Sequence, residues 1–377
     1  MTAQLLSIVD GKHLWSGQFN EDFTGIFGVE DSISEKMVEA LRLNLTGEEQ
    51  RRVTRHYTDD VEAYQLYIKG RYFQDKRNTE GLRKSIEYFQ QTTKLDPNYA
   101  LAFAGLADSY IYLAIRADMR PEDSRQKAKA AATRALEIDD KTAEAHASLG
   151  NVRYWFDWDL PGAESEFKRA IELSPNNPMG HQFYAPCLIA MGRHEEAIAE
   201  IKHAQGLAPL SLPAMVQVAR ILFFARAYDE SIEQCRKTLE MDRNFAGARL
   251  FLGRSYREKR RYDEALAELH AAKELLGDGA EVMSLIGYTD AVAGRRVEAQ
   301  KILQELQASS KERYASPYHV AMIYAGLGEQ DKALEWLDKA YADREGRMTL
   351  LQYAPEFNSL HADPRFKDLV RRVGMAR

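Results

Sequence analysis

Two consecutive stretches of this chain carry small and large apolar residues at matching places, 34 positions apart. In the first, His181, Tyr184, Ala185 and Leu188 are followed by Ala197, Ile201, Ala204 and Pro209. In the second, Met215, Val218, Ala219 and Leu222 are followed by Ser231, Cys235, Thr238 and Arg243. Each stretch reads as two antiparallel helices. Small residues let the helices approach closely, large ones fill the gap, and each pair leaves an apolar face that only the next pair can cover. Such a chain grows by stacking units instead of enlarging one core.

The large-x-x-large-small and small-x-x-x-large spacing at a 34-residue period resembles the tetratricopeptide repeat. The resemblance implies an all-α, right-handed superhelix, an α-α solenoid of about eight hairpins, with a concave groove lined by the first helix of each pair. The first repeat holds Leu66, Gly70 and Phe73, then Ser85, Phe89 and Pro97; the second holds Phe103, Leu106, Ala107 and Tyr110, then Ala128, Ala132 and Ala135. The third has Leu149, Gly150, Tyr154, Ala163, Phe167 and Ala170; the sixth has Leu252, Gly253, Tyr256, Ala265 and Leu269. The seventh diverges, with Asp290 in place of an aromatic and Leu306 in place of a small residue, and the eighth recovers through Ala321, Tyr324, Ala333 and Leu337. Extra residues near Arg77 and Met119 fall between helices, where a loop lengthens without disturbing packing. Pro186, inside a first helix, is expected to bend it.

The repeats are expected over 62–341, preceded by a linker at 47–61 and followed by a capping segment at 342–377. In that last segment Asp363-Pro364 starts a short helix with Phe366, Leu369 and Val370 inward and Lys367, Arg371 and Arg372 outward. Residues 1–46 do not follow the period. They read as a β-hairpin turning at Asp10-Gly11, with Trp15 on its second strand, and a helix with Ile26, Val29, Ile33, Met37, Leu41 and Leu45 at helical spacing. An isolated hairpin is marginal and leaves its edges unpaired. The Ala-Gln-Leu strand, the Gly-x-x-Leu-Trp return and the Ile-Phe-x-Val-x-Asp helix start resemble the end of the TolB-like amino-terminal domain of bacterial signalling proteins. This resemblance implies that residues 1–46 are the remnant of an α/β domain, in a family where a kinase, nucleotide cyclase or winged-helix module often stands upstream.

Composition narrows the function classes. Lys plus Arg number 51 against 57 for Asp plus Glu, a net charge of −6, so no general attraction to nucleic acid or anionic membrane is implied. No apolar run is long enough to insert in a bilayer, and Met1 to Ile8 lacks a signal-type core. Cytoplasm is the simpler expectation, with the periplasm as alternative if an upstream anchor exists. Cys187 and Cys235 sit in helical patterns and read as buried thiols.

Catalytic chemistry finds no constellation. His194-Glu195-Glu196 begins like a zinc helix, but Ile198 stands where the second histidine would be, so no metal or other cofactor is expected. Asp157 and Asp159 share a turn with Trp158 rather than a shaped pocket, and Trp155 and Trp158 are expected to pack against their own repeat. The expected ligand residues lie on the groove side of the first helices. They are Arg71, Asn151, Arg220, Arg254 and Arg257, interleaved with Tyr67, Tyr112, Phe223, Phe224, Tyr288 and Tyr318. Guanidinium groups grip carboxylates and rings supply contact area at low entropy cost, which suits an acidic peptide. Three functions follow: a non-enzymatic scaffold for a protein or peptide, the sensory half of a larger signalling protein, and a homo-oligomer formed through the hairpin edge.

Overall fold

A computed structural model describes residues 2–6, 13–18, 57–116, 119–309, 314 and 316–375. Strands β1 (Thr2–Leu6) and β2 (His13–Gln18) lie antiparallel, with Leu5 opposite Trp15. The turn at Asp10-Gly11, the helix expected over 26–45 and most of the linker fall outside the described residues. From residue 61 the described chain is helical. The first pairs are α1 (Val61–Asp75) with α2 (Thr79–Leu95), α3 (Ala100–Ile115) with α4 (Pro121–Ile138), α5 (Ala143–Val152) with α6 (Leu160–Leu173), and α7 (Pro178–Ala190) with α8 (His194–Leu207). Then come α9 (Leu212–Phe224) with α10 (Tyr228–Met241), α11 (Ala246–Glu258) with α12 (Tyr262–Leu276), α13 (Ala280–Val292) with α14 (Arg296–Ser309), and α15 (Pro317–Gly326) with α16 (Gln330–Ala342). Each helix packs on the next, and the first helix of every pair also packs on the first helix of the following pair, making a continuous inner layer.

The small residues are the points of closest approach. A Cβ added at Gly70 would lie 2.5 Å from the Phe89 ring, and one at Gly105 would lie 2.6 Å from the same ring. Phe89 of α2 is therefore wedged between α1 and α3. The same lock recurs where Gly150 of α5 meets Phe167 of α6, at 2.7 Å. At Gly253 a Cβ would stand 2.8 Å from Leu269 and 3.0 Å from the Ala265 carbonyl oxygen. Ala197 is wholly buried. Gly253→Leu and Ala197→Leu are each expected to cost about 1–3 kcal/mol through overpacking, read as a lower urea midpoint; unchanged midpoints in both contradict the assigned register.

The turns inside the pairs repeat as well. Gly192, Arg226, Arg260, Gly294 and Gly328 all have positive φ, between 59° and 83°. Each closes its helix with the bond from the next residue's N–H back to a carbonyl five positions earlier, such as Arg193 N to Leu188 O at 2.9 Å and Ala227 N to Leu222 O at 2.9 Å. This termination satisfies carbonyls that the helix end would leave bare. Pro186 sits within α7, which runs on to Ala190.

A polar staple between the two helices of a pair recurs in several repeats. His146 of α5 sets Nδ1 2.7 Å from Glu166 of α6 and Nε2 2.9 Å from the Asp140 carbonyl. His181 and Arg249 stand at the same place in later repeats, reaching Glu200 at 2.6 Å and Glu268 at 2.7 Å. With an acceptor on both nitrogens, the His146 ring is best served as the imidazolium. Burial opposes that charge, but Glu166 and the Asp140 carbonyl outweigh it and raise the pKa. The stabilisation is full below the unfolded value of about 6.5 and fades as pH rises through the higher folded value. His146→Gln is therefore expected to lower Tm more at pH 5.5 than at pH 8.5; an equal deficit at both removes the charged staple.

After α16 the chain passes through two 3-10 turns, Gly346–Leu350 and Pro355–Leu360, into α17 (Pro364–Arg372). Asp363 caps α17, and Phe366, Leu369 and Val370 are buried beneath it. Its basic side is paired on the surface, Arg372 with Asp338 at 3.2 Å and Arg365 with Asp331 at 2.8 Å. Cys187 and Cys235 are free and buried, and burial pushes both thiols up to about 12.

Candidate functional site

The inner layer does not stand open along its length, because residues 345–361 run across it as a strap. Met348, Leu351, Ala354, Phe357 and Leu360 of this strap are completely buried. Gly346 abuts the Trp155 ring, where an added Cβ would come within 2.2 Å, and the Tyr353 hydroxyl reaches the turn at Gly192. The Phe357 ring meets Tyr318 of α15 edge-on at 5.2 Å. Arg347 Nη2 donates to the Ile115 carbonyl at the end of α3 (3.1 Å) and to Glu281 at the start of α13 (2.7 Å). One side chain thus bridges the second and seventh helix pairs. The spiral closes around the strap.

Charge holds the middle of the strap. Glu356 Oε1 accepts from Arg254 Nη2 at 3.0 Å and from Arg257 Nη2 at 2.7 Å, and all three residues are buried. Burial alone would push the Glu356 carboxyl up; Arg254 and Arg257 overcome it and hold it at about 2. The rings of Phe223 and Phe224 lie under the Arg254 guanidinium at 4.4 and 5.3 Å, and Tyr288 lies under Arg257 at 4.6 Å. Two neighbours behave differently. Glu345 accepts from Ser316 Oγ at 2.7 Å and Tyr314 Oη at 2.9 Å, yet burial still raises its carboxyl to about 7. His319 is buried, and desolvation with the nearby Arg347 pushes it down to about 3, so it is neutral.

One part of the inner face carries no strap. An open groove runs from the end of α1 to the starts of α7 and α9, lined by Arg71, Asp75, Arg77, Phe183, Leu210 and Phe245 among others. Arg71 Nη1 donates to the Tyr67 hydroxyl at 3.2 Å, and Arg77 stacks on Tyr112 at 3.9 Å. Among the described residues neither arginine forms an ion pair, and the Nε of each has no partner. Leu210 is 67% exposed at the rim. The α7 and α9 N-termini, capped by Asn177 and Ser211, face the same space and add positive potential.

The residues expected to line one solvent-filled groove therefore divide. Arg71 lines the open mouth, and Tyr112 lies beneath Arg77, which lines it too. Arg254, Arg257, Phe224, Tyr288 and Tyr318 lie beneath or beside the strap and are buried, so the acidic group that the arginines hold is the chain's own Glu356. Tyr67 and Phe223 are buried in the helix packing and still touch the arginines: Tyr67 contacts Tyr99 at 5.0 Å and accepts from Arg71, and Phe223 contacts Phe251 at 6.0 Å beneath Arg254. Asn151 is buried in α5. Arg220 does not join the other two arginines on Glu356; it lies 5.6 Å from the Trp155 ring, and burial lowers its pKa. The tryptophan turn also differs from expectation. Arg153–Asp157 is a π-helical turn, and Trp158, at φ 56°, packs on Tyr341 of α16 at 5.2 Å rather than only on its own repeat. Asp157 is an anchor for Arg125 and Lys129, at 2.7 and 3.1 Å. Sequence reasoning missed Glu356, Arg347 and Glu281. The available signal was an apolar content in 348–360 that follows neither helical nor strand period.

A family model described as tetratricopeptide repeat matches residues 218–280, which run from the middle of α9 into the start of α13. Over these residues the chain is similar to the tetratricopeptide repeat. Its sequence relatives include a putative adenylate cyclase 3 of Rhizobium meliloti (strain 1021), 28% identical over 157 residues, or 41% of this chain and 27% of that protein. The transcriptional regulator HilA of Salmonella typhimurium is 23% identical over 174 residues, 46% of this chain and 31% of that protein. The chain thus spans about a third or less of the length of these curated relatives. Among solved structures, a monomeric IFIT1 mutant with Gppp-AAAA superposes with a TM-score of 0.53 at 13% identity, over 93% of this chain and 86% of that one. That likeness extends to the fold alone. Among the described residues no helix is long and apolar enough to cross a membrane.

Proposed function

We propose that the chain is an interaction scaffold that holds an extended, acidic segment of a protein partner in the open mouth of its inner face. The observation that carries this is the pair Arg71 and Arg77, which form no ion pair with a described carboxylate although Asp75 lines the same groove and Asp108 lies near both, set beside the exposed Leu210 and the Phe183 ring. A guanidinium supplies directional donors to a carboxylate, and an apolar rim supplies contact area. Calorimetry with a synthetic peptide of alternating Glu and Leu residues tests it. Arg71→Ala and Arg77→Ala should each weaken binding about tenfold or more, since a charged hydrogen bond contributes about 1.5–3 kcal/mol. Unaltered affinity in both moves the partner site elsewhere.

A second reading is favoured by the partial alignments. The repeats serve as the sensory or regulatory part of a larger signalling protein, with residues 1–46 as the tail of a TolB-like domain. Relatives named as a cyclase and a transcriptional regulator, each matched over less than a third of its length, support a module that recurs beside different effectors. Reading the coding sequence before Met1 decides: an in-frame kinase, cyclase or winged helix supports it, and an immediate stop codon counts against it. Pairing of the hairpin edge with a second copy is a third proposal, which light scattering showing only monomer would remove.

A further inference from the structure

We infer that residues 345–361 are a displaceable occupant of the inner face, standing in for a partner segment whose carboxylate and following aromatic ring would seat where Glu356 and Phe357 now lie. This rests on the proposal that the inner face binds a partner, and it adds what controls the covered half. Three observations carry it. The strap's anchor is used below its capacity: both arginines bond the single oxygen Oε1, while Glu356 Oε2, Arg254 Nε and Arg257 Nη1 have no partner. A carboxylate free to turn could engage a guanidinium through two parallel bonds, so the site has unspent capacity for a better-placed acid. The strap backbone is two 3-10 turns, a form with poorer hydrogen-bond geometry than α-helix. Its outer edge is tied by exposed contacts, Arg226 Nη2 to Asn358 Oδ1 at 3.0 Å and Gln330 Nε2 to the Ser359 carbonyl at 3.4 Å. Exposed ties of this kind are weak.

Both ends of the strap are held, by Glu345 on Tyr314 and Ser316 and by α17 on α16, so release is a loop movement and not loss of the terminus. Tethering also gives the strap a high effective concentration at its own site. A competing segment in solution is therefore expected to bind the native chain weakly, and to bind more tightly once the strap is loosened.

The test uses the full chain and a fluorescent peptide with the sequence of residues 353–361. Glu356→Gln in the chain should raise peptide affinity at least tenfold and Arg226→Ala at least threefold. The same peptide with Gln in place of its Glu should bind at least tenfold more weakly. Saturating peptide should accelerate hydrogen exchange of the strap amides and leave those of α9 to α13 unchanged. Peptide binding without faster strap exchange overturns the inference, as does absence of binding to both chain variants. If Glu356→Gln fails to fold, Arg226→Ala decides alone, because its tie lies on the surface. Arg71→Ala separates the two proposals: it should impair the mouth and leave the strap peptide's affinity unaltered.

Discussion

Replacing Arg257 with alanine should remove about 3–5 kcal/mol of the stability that holds the strap, because it leaves Glu356 buried with half of its positive charge gone. Protection of the strap amides and the urea midpoint both report it. The pH dependence follows from the same pair. With its carboxyl held at about 2, Glu356 contributes fully above the unfolded value of about 4.3, and the contribution is lost as pH falls towards about 2. The variant should lose part of that acid-side slope. Replacing all three partners together, Arg254→Met, Arg257→Met and Glu356→Leu, should recover most of the loss, since the desolvation of three charges disappears along with their attraction. A triple variant as unstable as Arg257→Ala would show that the charges act otherwise than as a compensated set.

The second large effect is expected at Phe89. Phe89→Ala should cost about 3–5 kcal/mol, because the ring fills the space between two glycines and neither Gly70 nor Gly105 has a side chain to collapse into the void. Each repeat contacts chiefly its neighbours, so the loss should appear first as fraying of α1 to α3 in hydrogen exchange, ahead of α9 to α15. Phe89→Leu should cost less than half as much. A change below 1 kcal/mol in the alanine variant would mean that the wedge is not close-packed.

Much of this architecture was legible because packing here is local in sequence. Gly70, Gly150 and Gly253 face Phe89, Phe167 and Leu269 within one helix pair, so a fixed interval of small and large residues carries the contact itself. The left-handed turns could also have been read, since Gly192, Gly294 and Gly328 share the 34-residue spacing; Arg226 and Arg260 in the same place obscured them. The ligand positions were legible only in part. Arg254 and Arg257 read from the sequence as contacts for a partner's acidic group, whereas the carboxylate they bond is Glu356, about 100 residues along the same chain. Arg220 was grouped with them by repeat position, whereas its contact is Trp155. Trp155 and Trp158 were assigned to their own repeat, and they also meet Gly346 and Tyr341 from the far end.

The sequence by itself determined the helices, their pairing and the stacking of the pairs, because each depends on residues no more than one repeat apart and periodic patterning records such contacts directly. Only the tertiary structure decided which half of the inner face is filled and which is open. That outcome depends on how far the spiral curves over eight pairs, a sum of small rotations no single residue encodes, and on a strap without periodicity whose partners lie up to 232 positions away.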